Sequence, residues 1–176
     1  VDQVLYYVRS ENAEKDYLIK DTELSKVIKN VGLKNMVDLL ENKVDYNVEN
    51  VKVKVLTDSK WLEFILGQII NNCIKYKRDI NNSYIKISVR DEKYKTTLII
   101  EDNGIGIKDS DLKQVFDKSF TGENGRNTSK STGMGLFIAK NMCSKLGHKI
   151  NIESKENEYT RVYITFAKDK YYEVLK

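Results

Sequence analysis

A chain of 176 residues, 40% apolar and 32% charged, is long enough for one packed domain with some extra, and its composition excludes a disordered or membrane-embedded protein. The net charge of +4 comes from 30 basic residues scattered among 26 acids, which reads as a lysine-rich solvated surface, so no nucleic-acid partner is expected. No apolar run approaches membrane-spanning length. Val1 opens the chain without a methionine and no signal-peptide pattern follows, so the expectation is a piece of a longer protein. Cys73 and Cys143, the only cysteines, fall inside apolar helical patterns and read as small buried hydrophobes, with no disulfide framework and no zinc spacing.

In chain order, residues 1 to about 18 read as the end of a helix, with Val1, Leu5 and Val8 on one face. Asp21 and Thr22 give a break. A single helical pattern then carries Leu24, Val27, Ile28, Val31, Met36, Leu39 and Leu40 as its apolar positions. Val51, Val53 and Val55 alternate with Lys52 and Lys54, which predicts a strand over 51–56. The strongest helix starts at Asp58, capped by Asp58 or Ser59, with Leu62, Ile65, Leu66, Ile69, Ile70 and Cys73 on its core face. Two strands follow, one around Ile85, Ile87 and Val89 and one over Thr97–Ile100, and the second runs into an acidic, Gly-containing turn. A short helix over Asp109–Phe116 precedes a polar stretch, 117–132, whose length suggests a mobile functional loop. A helix from about Gly133 to Leu146 and strands over 149–154 and 160–166 complete the chain. The order predicts helices layered on one face of a mixed sheet.

Three stretches carry chemistry. On the polar side of the helix over 58–76, Gln68, Asn72, Lys75 and Tyr76 share a face. An amide oxygen there can ligate magnesium, an ammonium can neutralise phosphate and a phenol can cover a base, although a plain solvated face has the same look. The stretch EDNGIGI, residues 101–107, follows an apolar strand; Asp102 can accept from an exocyclic amine, and Gly104 and Gly106 let the backbone approach a ligand. In STGMGLFIAK, residues 131–140, Gly133 and Gly135 stand where backbone N–H groups open an amphipathic helix and face an anion. Each stretch alone also fits an ordinary turn or cap. No P-loop and no dinucleotide-type glycine triplet is present.

Together and in this order, the stretches resemble the catalytic and ATP-binding domain of sensor histidine kinases, within the larger class of gyrase-type, chaperone and mismatch-repair ATPases. QIINNCIKY at 68–76 is similar to the N box, EDNGIGI to the first glycine box, VFDKSF at 115–120 to the F box and STGMGLFIAK to the second glycine box. FTGENGR at 120–126 and SENAEKDYLIKDTEL at 10–24 look like the small intramembrane-sensing kinases that answer cell-wall antibiotics such as bacitracin.

The resemblance implies an α+β two-layer sandwich of the Bergerat type, with helices on one face of a mixed, mostly antiparallel sheet. It implies the end of the second dimerisation helix and a linker at 1–20, the ATP-binding domain at 21–170 and a tail at 171–176. It implies ATP and Mg2+ as cofactors, with Asn72 as the magnesium ligand, Lys75 on phosphate, Tyr76 flanking the nucleotide, and Asp102 on the adenine amine. Gly104, Gly106 and Ile107 would shape the base pocket, and Thr132, Gly133, Met134, Gly135 and Leu136 would close on the phosphates. Arg126 is the candidate γ-phosphate contact. The implied partners are an upstream dimerisation domain bearing the phospho-acceptor histidine, a response regulator and a second copy of the parent. The implied location is the cytoplasmic side of a cell-membrane protein.

Two positions depart from the pattern: Ser131 stands where glycine is usual, and Cys73 where alanine is usual; both are small. The only histidine, His148 in LGHKI, reads as a surface or turn residue, so the acceptor is expected outside this chain. Gyrase- and chaperone-type hydrolases place a glutamate where Gln68 stands, and an amide cannot accept the proton from water. That favours transfer to a protein side chain over an ATPase. A serine kinase of the same fold and a non-catalytic nucleotide-binding scaffold are rival functions for the same boxes.

Overall fold

The computed structural model describes residues 17–120 and 133–168. The expected helix end over 1–18 therefore falls almost wholly outside the described residues, as do Arg126 and Thr132. A short antiparallel pair, β1 (Lys20–Glu23) and β3 (Lys54–Thr57), sits apart from a five-stranded sheet. That sheet comprises β2 (Asp45–Glu49), β4 (Tyr84–Asp91), β5 (Lys95–Asp102), β6 (Lys149–Lys155) and β7 (Tyr159–Ala167), in the order β2-β4-β5-β7-β6. Only β2 and β4 run parallel; the other pairs are antiparallel. The helices are α1 (Leu24–Lys34), α2 (Met36–Glu41), α3 (Ser59–Lys75), α4 (Asp109–Leu112) and α5 (Gly135–Lys145). Among the described residues no helix is long and apolar enough to cross a membrane.

The two-residue period of the strands decides which side chains meet the helices. Ile85 and Ile87 on β4, Leu98 and Ile100 on β5, and Val162, Ile164 and Phe166 on β7 all point to one face and are buried. Leu62, Ile65, Leu66, Ile69, Ile70 and Cys73 of α3 join them, with Leu24, Val27, Ile28 and Val31 of α1 and Ile138, Ala139, Met142 and Cys143 of α5. The opposite face of the sheet stays polar. There Arg161 bridges Glu101 and Glu153, while the Tyr84 hydroxyl donates to Glu101 and those of Tyr159 and Tyr163 donate to Glu153. Both cysteines are buried and reduced, as the apolar patterns around them predict.

Several expectations change. The single helical pattern after residue 22 is two helices, because Asn35 turns its own backbone and side-chain N–H groups onto the Val31 carbonyl and stops the first. Of the apolar positions beyond that stop, only Leu39 is buried; Met36 and Leu40 face solvent. The residues read as a break at 21–22 lie within β1, and the strand predicted over 51–56 is confined to Lys54–Thr57. β2 is unexpected: its alternation is confined to Tyr46 and Val48 between polar residues, and it is an edge strand held by the backbone of β4. The helix predicted over 109–116 ends at Leu112.

His148 is not a surface residue. Gly147, at φ +74°, closes α5 in a Schellman turn, with its N–H on the Ser144 carbonyl and the His148 N–H on the Cys143 carbonyl at 2.8 Å. The chain then turns inward. The His148 ring meets Phe166 edge-on at 4.6 Å, and its Nε2 lies 2.8 Å from the Thr57 hydroxyl. Burial lowers its pKa to about 4. Between pH 6.5 and 4 the unfolded chain binds a proton that the folded imidazole refuses, so this residue's contribution to stability is complete above pH 6.5 and lost as pH falls toward 4. The loss amounts to roughly 3 kcal/mol at most. His148→Gln should flatten the fall in stability over that window, measured by denaturant unfolding at a series of pH values.

Candidate functional site

The site forms where the ends of α3 and β5 meet. Asp58 starts α3 by accepting from the N–H groups of Lys60 at 2.8 Å and Trp61 at 3.0 Å, an N-cap that fixes where the helix begins and hence which face its last turn presents. On that last turn Cys73 and Ile74 go into the core, while Asn72, Lys75 and Tyr76 stay half-buried at its edge. Gln68, one turn earlier, is buried. On β5, Leu98, Ile100 and Asp102 continue one inward stripe, so the strand's last residue carries a carboxylate into the helix layer at 7% exposure. Glu101, its neighbour, faces the opposite side.

Backbone contacts tie the first glycine box to the N box. The Ile105 N–H donates to the Tyr76 carbonyl at 2.9 Å, and the Gly104 N–H donates to Asp102 Oδ1 at 2.8 Å. A Cβ on Gly104 would lie 2.5 Å from the Tyr76 carbonyl oxygen and 2.6 Å from Asp102 Oδ1, so this crossing admits only glycine. Gly106 adopts φ +67° with its Cα against the Lys155 carbonyl, where an added Cβ would overlap the oxygen. Ile107 N–H reaches the Ser154 hydroxyl at 2.9 Å. Arg78, which stands in none of the sequence boxes, clamps the assembly by donating to the carbonyls of Asn103 at 2.8 Å and Asn157 at 2.7 Å. Asn103 in turn accepts from the Tyr84 N–H and donates to the Asn82 carbonyl. Nothing in the spacing of Arg78 or Asn103 announces these bonds, since both partners are main-chain atoms distant in sequence.

The second glycine box comes to the same place from the other side. A Cβ on Gly135 would lie 3.2 Å from Gln68 Oε1 and 3.9 Å from Asn72 Nδ2, so the first turn of α5 rests against the polar face of α3. Met134 caps α5 without a side-chain hydrogen bond, and Leu136 is half-buried against the core. Gly133, at φ +63°, lies against the backbone of Ser119 and Phe120. Gly135 thus meets Gln68 and Asn72, and Gly104 meets Tyr76 and Asp102, with α3 joining the two groups, while Gly106 and Gly133 pack on Lys155 and on Ser119–Phe120. The Asn72 side chain has no protein hydrogen-bond partner among the described residues.

Burial raises the Asp102 pKa to about 6, against the opposing pull of the Gly104 N–H, which donates to its carboxylate, and of the Cys73 thiol. Partial burial also acts on Glu101, yet hydrogen bonds from Arg161 and Tyr84 hold it below the usual carboxylate range. The thiol of Cys73 is pushed up by burial and by the Asp102 charge, so it remains protonated and a donor.

An inward carboxylate ending a sheet strand, an uncommitted amide on the facing helix and two glycine turns define a nucleotide-binding class of α+β fold. A family model described as histidine kinase-, DNA gyrase B- and HSP90-like ATPase matches residues 57–170, and the chain belongs to this family. It is 34% identical over 168 residues to the sensor histidine kinase YxdK of Bacillus subtilis, covering 94% of this chain and 51% of that protein. It is 31% identical over 170 residues to the sensor protein kinase GraS of Staphylococcus aureus and, over an equal length, to the sensor protein BceS of Bacillus subtilis, covering 47% and 49% of those proteins and 94% of this chain in each case. The chain thus spans about half the length of these relatives. Among solved structures, the Acinetobacter baumannii histidine kinase AdeS shares the fold at TM-score 0.76 and 20% identity, over 94% of this chain and 75% of that one. The catalytic domain of histidine kinase ThkA shares it at TM-score 0.72 and 21% identity, over 86% of this chain and 96% of that one.

The glycines offer a direct check of the geometry. Gly106→Ala should destabilise the fold by roughly 2 kcal/mol or more, because a positive φ and a backbone clash act together. Gly67→Ala, in mid-α3 with nothing within 4 Å of its added methyl, should stabilise by about 0.5–1 kcal/mol. Urea unfolding of the two variants should move the midpoint in opposite directions.

Proposed function

We propose that this chain is the ATP-binding kinase domain of a sensor histidine kinase, which phosphorylates a histidine on a dimerisation domain of the same protein for relay to a response-regulator aspartate. The observation that carries the reading is the meeting of Gly135 with Gln68 and Asn72. It brings the helix opening of the second glycine box onto the amide face of α3, where Gln68 stands in place of the carboxylate that the resemblance gives a hydrolase as its base. The relatives YxdK, GraS and BceS, all named as sensors, support it. A solved structure of ThkA in complex with the response regulator TrrA, similar in fold at TM-score 0.75, supports the relay. The likeness to BceS and GraS supports the subgroup reading, an intramembrane-sensing kinase whose catalytic domain lies in the cytoplasm and which answers cell-wall antibiotics. A homodimeric parent, with residues 1–20 as helix end and linker, 21–170 as the catalytic domain and 171–176 as a tail, completes it.

The residues present fit a nucleotide. Asp102 offers a buried acceptor for an exocyclic amine, and Gly104 leaves the floor of that site free of a side chain. The half-buried amide of Asn72, uncommitted within the described residues, fits a hard cation through its oxygen. Among the described residues no cluster of three or more His, Cys, Asp or Glu gathers, so a divalent cation here would rest on that amide and on the phosphates themselves. Bound there with Mg2+, ATP supplies the transferable phosphoryl group and an electrophile whose charge is partly neutralised. The chain's own part is positional. Asn72 and Lys75 orient and neutralise the phosphates, Tyr76, Gly106 and Ile107 shape the base pocket, and Gly133, Met134, Gly135 and Leu136 bring backbone to the phosphate end. Arg126 and Thr132 belong to the same proposal.

ATP should bind and GTP should not, since the guanine oxygen would face the Asp102 carboxylate. Asp102→Asn should weaken ATP by roughly 2 kcal/mol or more, the scale of a hydrogen bond to a charged group. Equal calorimetric affinities for ATP and GTP would remove Asp102 as base reader.

Alone, the chain should release phosphate far more slowly than about one turnover per second. Mixed with a separate dimerisation domain bearing its histidine, and with labelled ATP and magnesium, it should pass label to that domain. Asn72→Asp should nearly abolish the transfer without unfolding the chain. Label found on the buried His148 instead would overturn the assignment of the acceptor.

A further inference from the structure

Arg78 stands two residues beyond Tyr76, the residue that closes α3. Its Nε donates to the Asn103 carbonyl, inside the first glycine box, at 2.8 Å, and its Nη1 donates to the Asn157 carbonyl, in the turn that links β6 to β7, at 2.7 Å. Asn157 adopts φ +60°, and its own N–H donates to the Ile105 carbonyl at 2.7 Å, so the turn touches the box at a second point. Gly106 lies against the Lys155 carbonyl where β6 enters the same turn. The glycine box is therefore held between the end of α3, through the Ile105 N–H on the Tyr76 carbonyl, and the β6–β7 turn, with Arg78 bonded across both. A guanidinium is planar and rigid, so two carbonyls bonded to it keep a fixed separation, which an ammonium on a flexible stem does not impose. Among the described residues its hydrogen bonds go to these two carbonyls, whereas the phosphate end, where Gly135 meets Gln68 and Asn72, is built without it.

We propose that Arg78 is a positioning residue for the nucleotide base: by fixing the separation of the Asn103 and Asn157 carbonyls it sets the width of the pocket in which Asp102, Gly106 and Ile107 stand, and it leaves the phosphate end untouched. The inference rests on the reading of that pocket as the base site given above. Arg78 acts through the main chain of the glycine box and meets no reacting atom. An alanine at position 78 would leave both carbonyls without their donor. The side chain is half-buried and its bond to Asn157 is exposed, so water can take up those carbonyls and the fold survives, but water does not fix their separation.

The test uses the whole chain and two magnesium-loaded ligands, ATP and inorganic triphosphate, which share the phosphate chain and differ by the nucleoside. Affinities are measured by calorimetry, that of triphosphate by its competition with ATP, for the parent chain, Arg78→Ala, Arg78→Lys and Asp102→Asn. Arg78→Ala should weaken ATP about tenfold and leave triphosphate within about twofold. Arg78→Lys should weaken ATP about threefold, since an ammonium can bond one carbonyl but does not hold the two apart. Should Arg78→Ala lose its cooperative thermal melt, Arg78→Lys gives the same comparison between the two ligands. Equal weakening of both ligands would reduce Arg78 to a residue of general stability and overturn the inference, as would an unchanged affinity for ATP, or a lysine variant that binds ATP as the parent does. If Asp102→Asn weakens ATP while Arg78→Ala does not, the positioning role alone fails. If the parent chain binds ATP no more tightly than triphosphate, the reading of the base site fails and the role of Arg78 falls with it.

Discussion

A carboxylate taken out of water needs donors around it, and the donors around Asp102 organise this end of the molecule. The main chain two residues on, at Gly104, donates to it at 2.8 Å, and the Cys73 thiol on the helix above pulls its pKa the same way. Their presence depends on the pleat of β5, which turns Asp102 inward and Glu101 outward. Glu101 finds Arg161 and Tyr84 on the solvent side and is held ionised there. Two adjacent acids thus acquire opposite characters from a single geometrical rule. The one placed under the helices is buried and has its pKa raised by that burial.

The surrounding turns are held mainly by backbone atoms. Ile105 reaches Tyr76, Asn157 reaches Ile105, Ile107 reaches the Ser154 hydroxyl, and Arg78 donates to two carbonyls. A floor made of main chain is insensitive to most side-chain changes, and Gln68, Asn72, Lys75 and Tyr76 line one helix edge beside it. On the proposed reading, that edge positions phosphates and lacks a base for water, so the same scaffold that serves hydrolases would serve transfer to a protein.

What is legible in the sequence follows from how strongly burial imprints a pattern. The α3 stripe, the inward positions of β4, β5 and β7, and the glycine turns are all set by one-sided burial or close backbone approach, and they stand out in the residue order. β1 and β2 do not. β2 is an edge strand whose alternation is limited to Tyr46 and a solvent-exposed Val48, and β1 is four polar residues, so neither carries a strong one-sided burial pattern to read. The break at Asn35 is hidden because Met36 and Leu40 imitate a continuing core face while facing solvent. His148 misleads for a different reason. Its burial follows from the turn at Gly147 and from Thr57, 91 residues away, neither of which changes the local composition.

The pairing of β5 with β7 joins residues about sixty positions apart, as Glu101 and Arg161 do, and Gln68 meets Gly135 across a comparable span. Closing loops of that size is entropically expensive and comes before the contacts that reward it. The hairpin of β4 and β5 is local by comparison, with Asp91 paired to Thr96 near its turn. A folding intermediate built on that hairpin and α3 would possess the N box and half of the first glycine box, yet it would have neither the β7 neighbour of Asp102 nor the helix start at Gly135. On the proposed reading, nucleotide competence would then belong to the completely folded chain, and a partly unfolded population would be silent toward ligand.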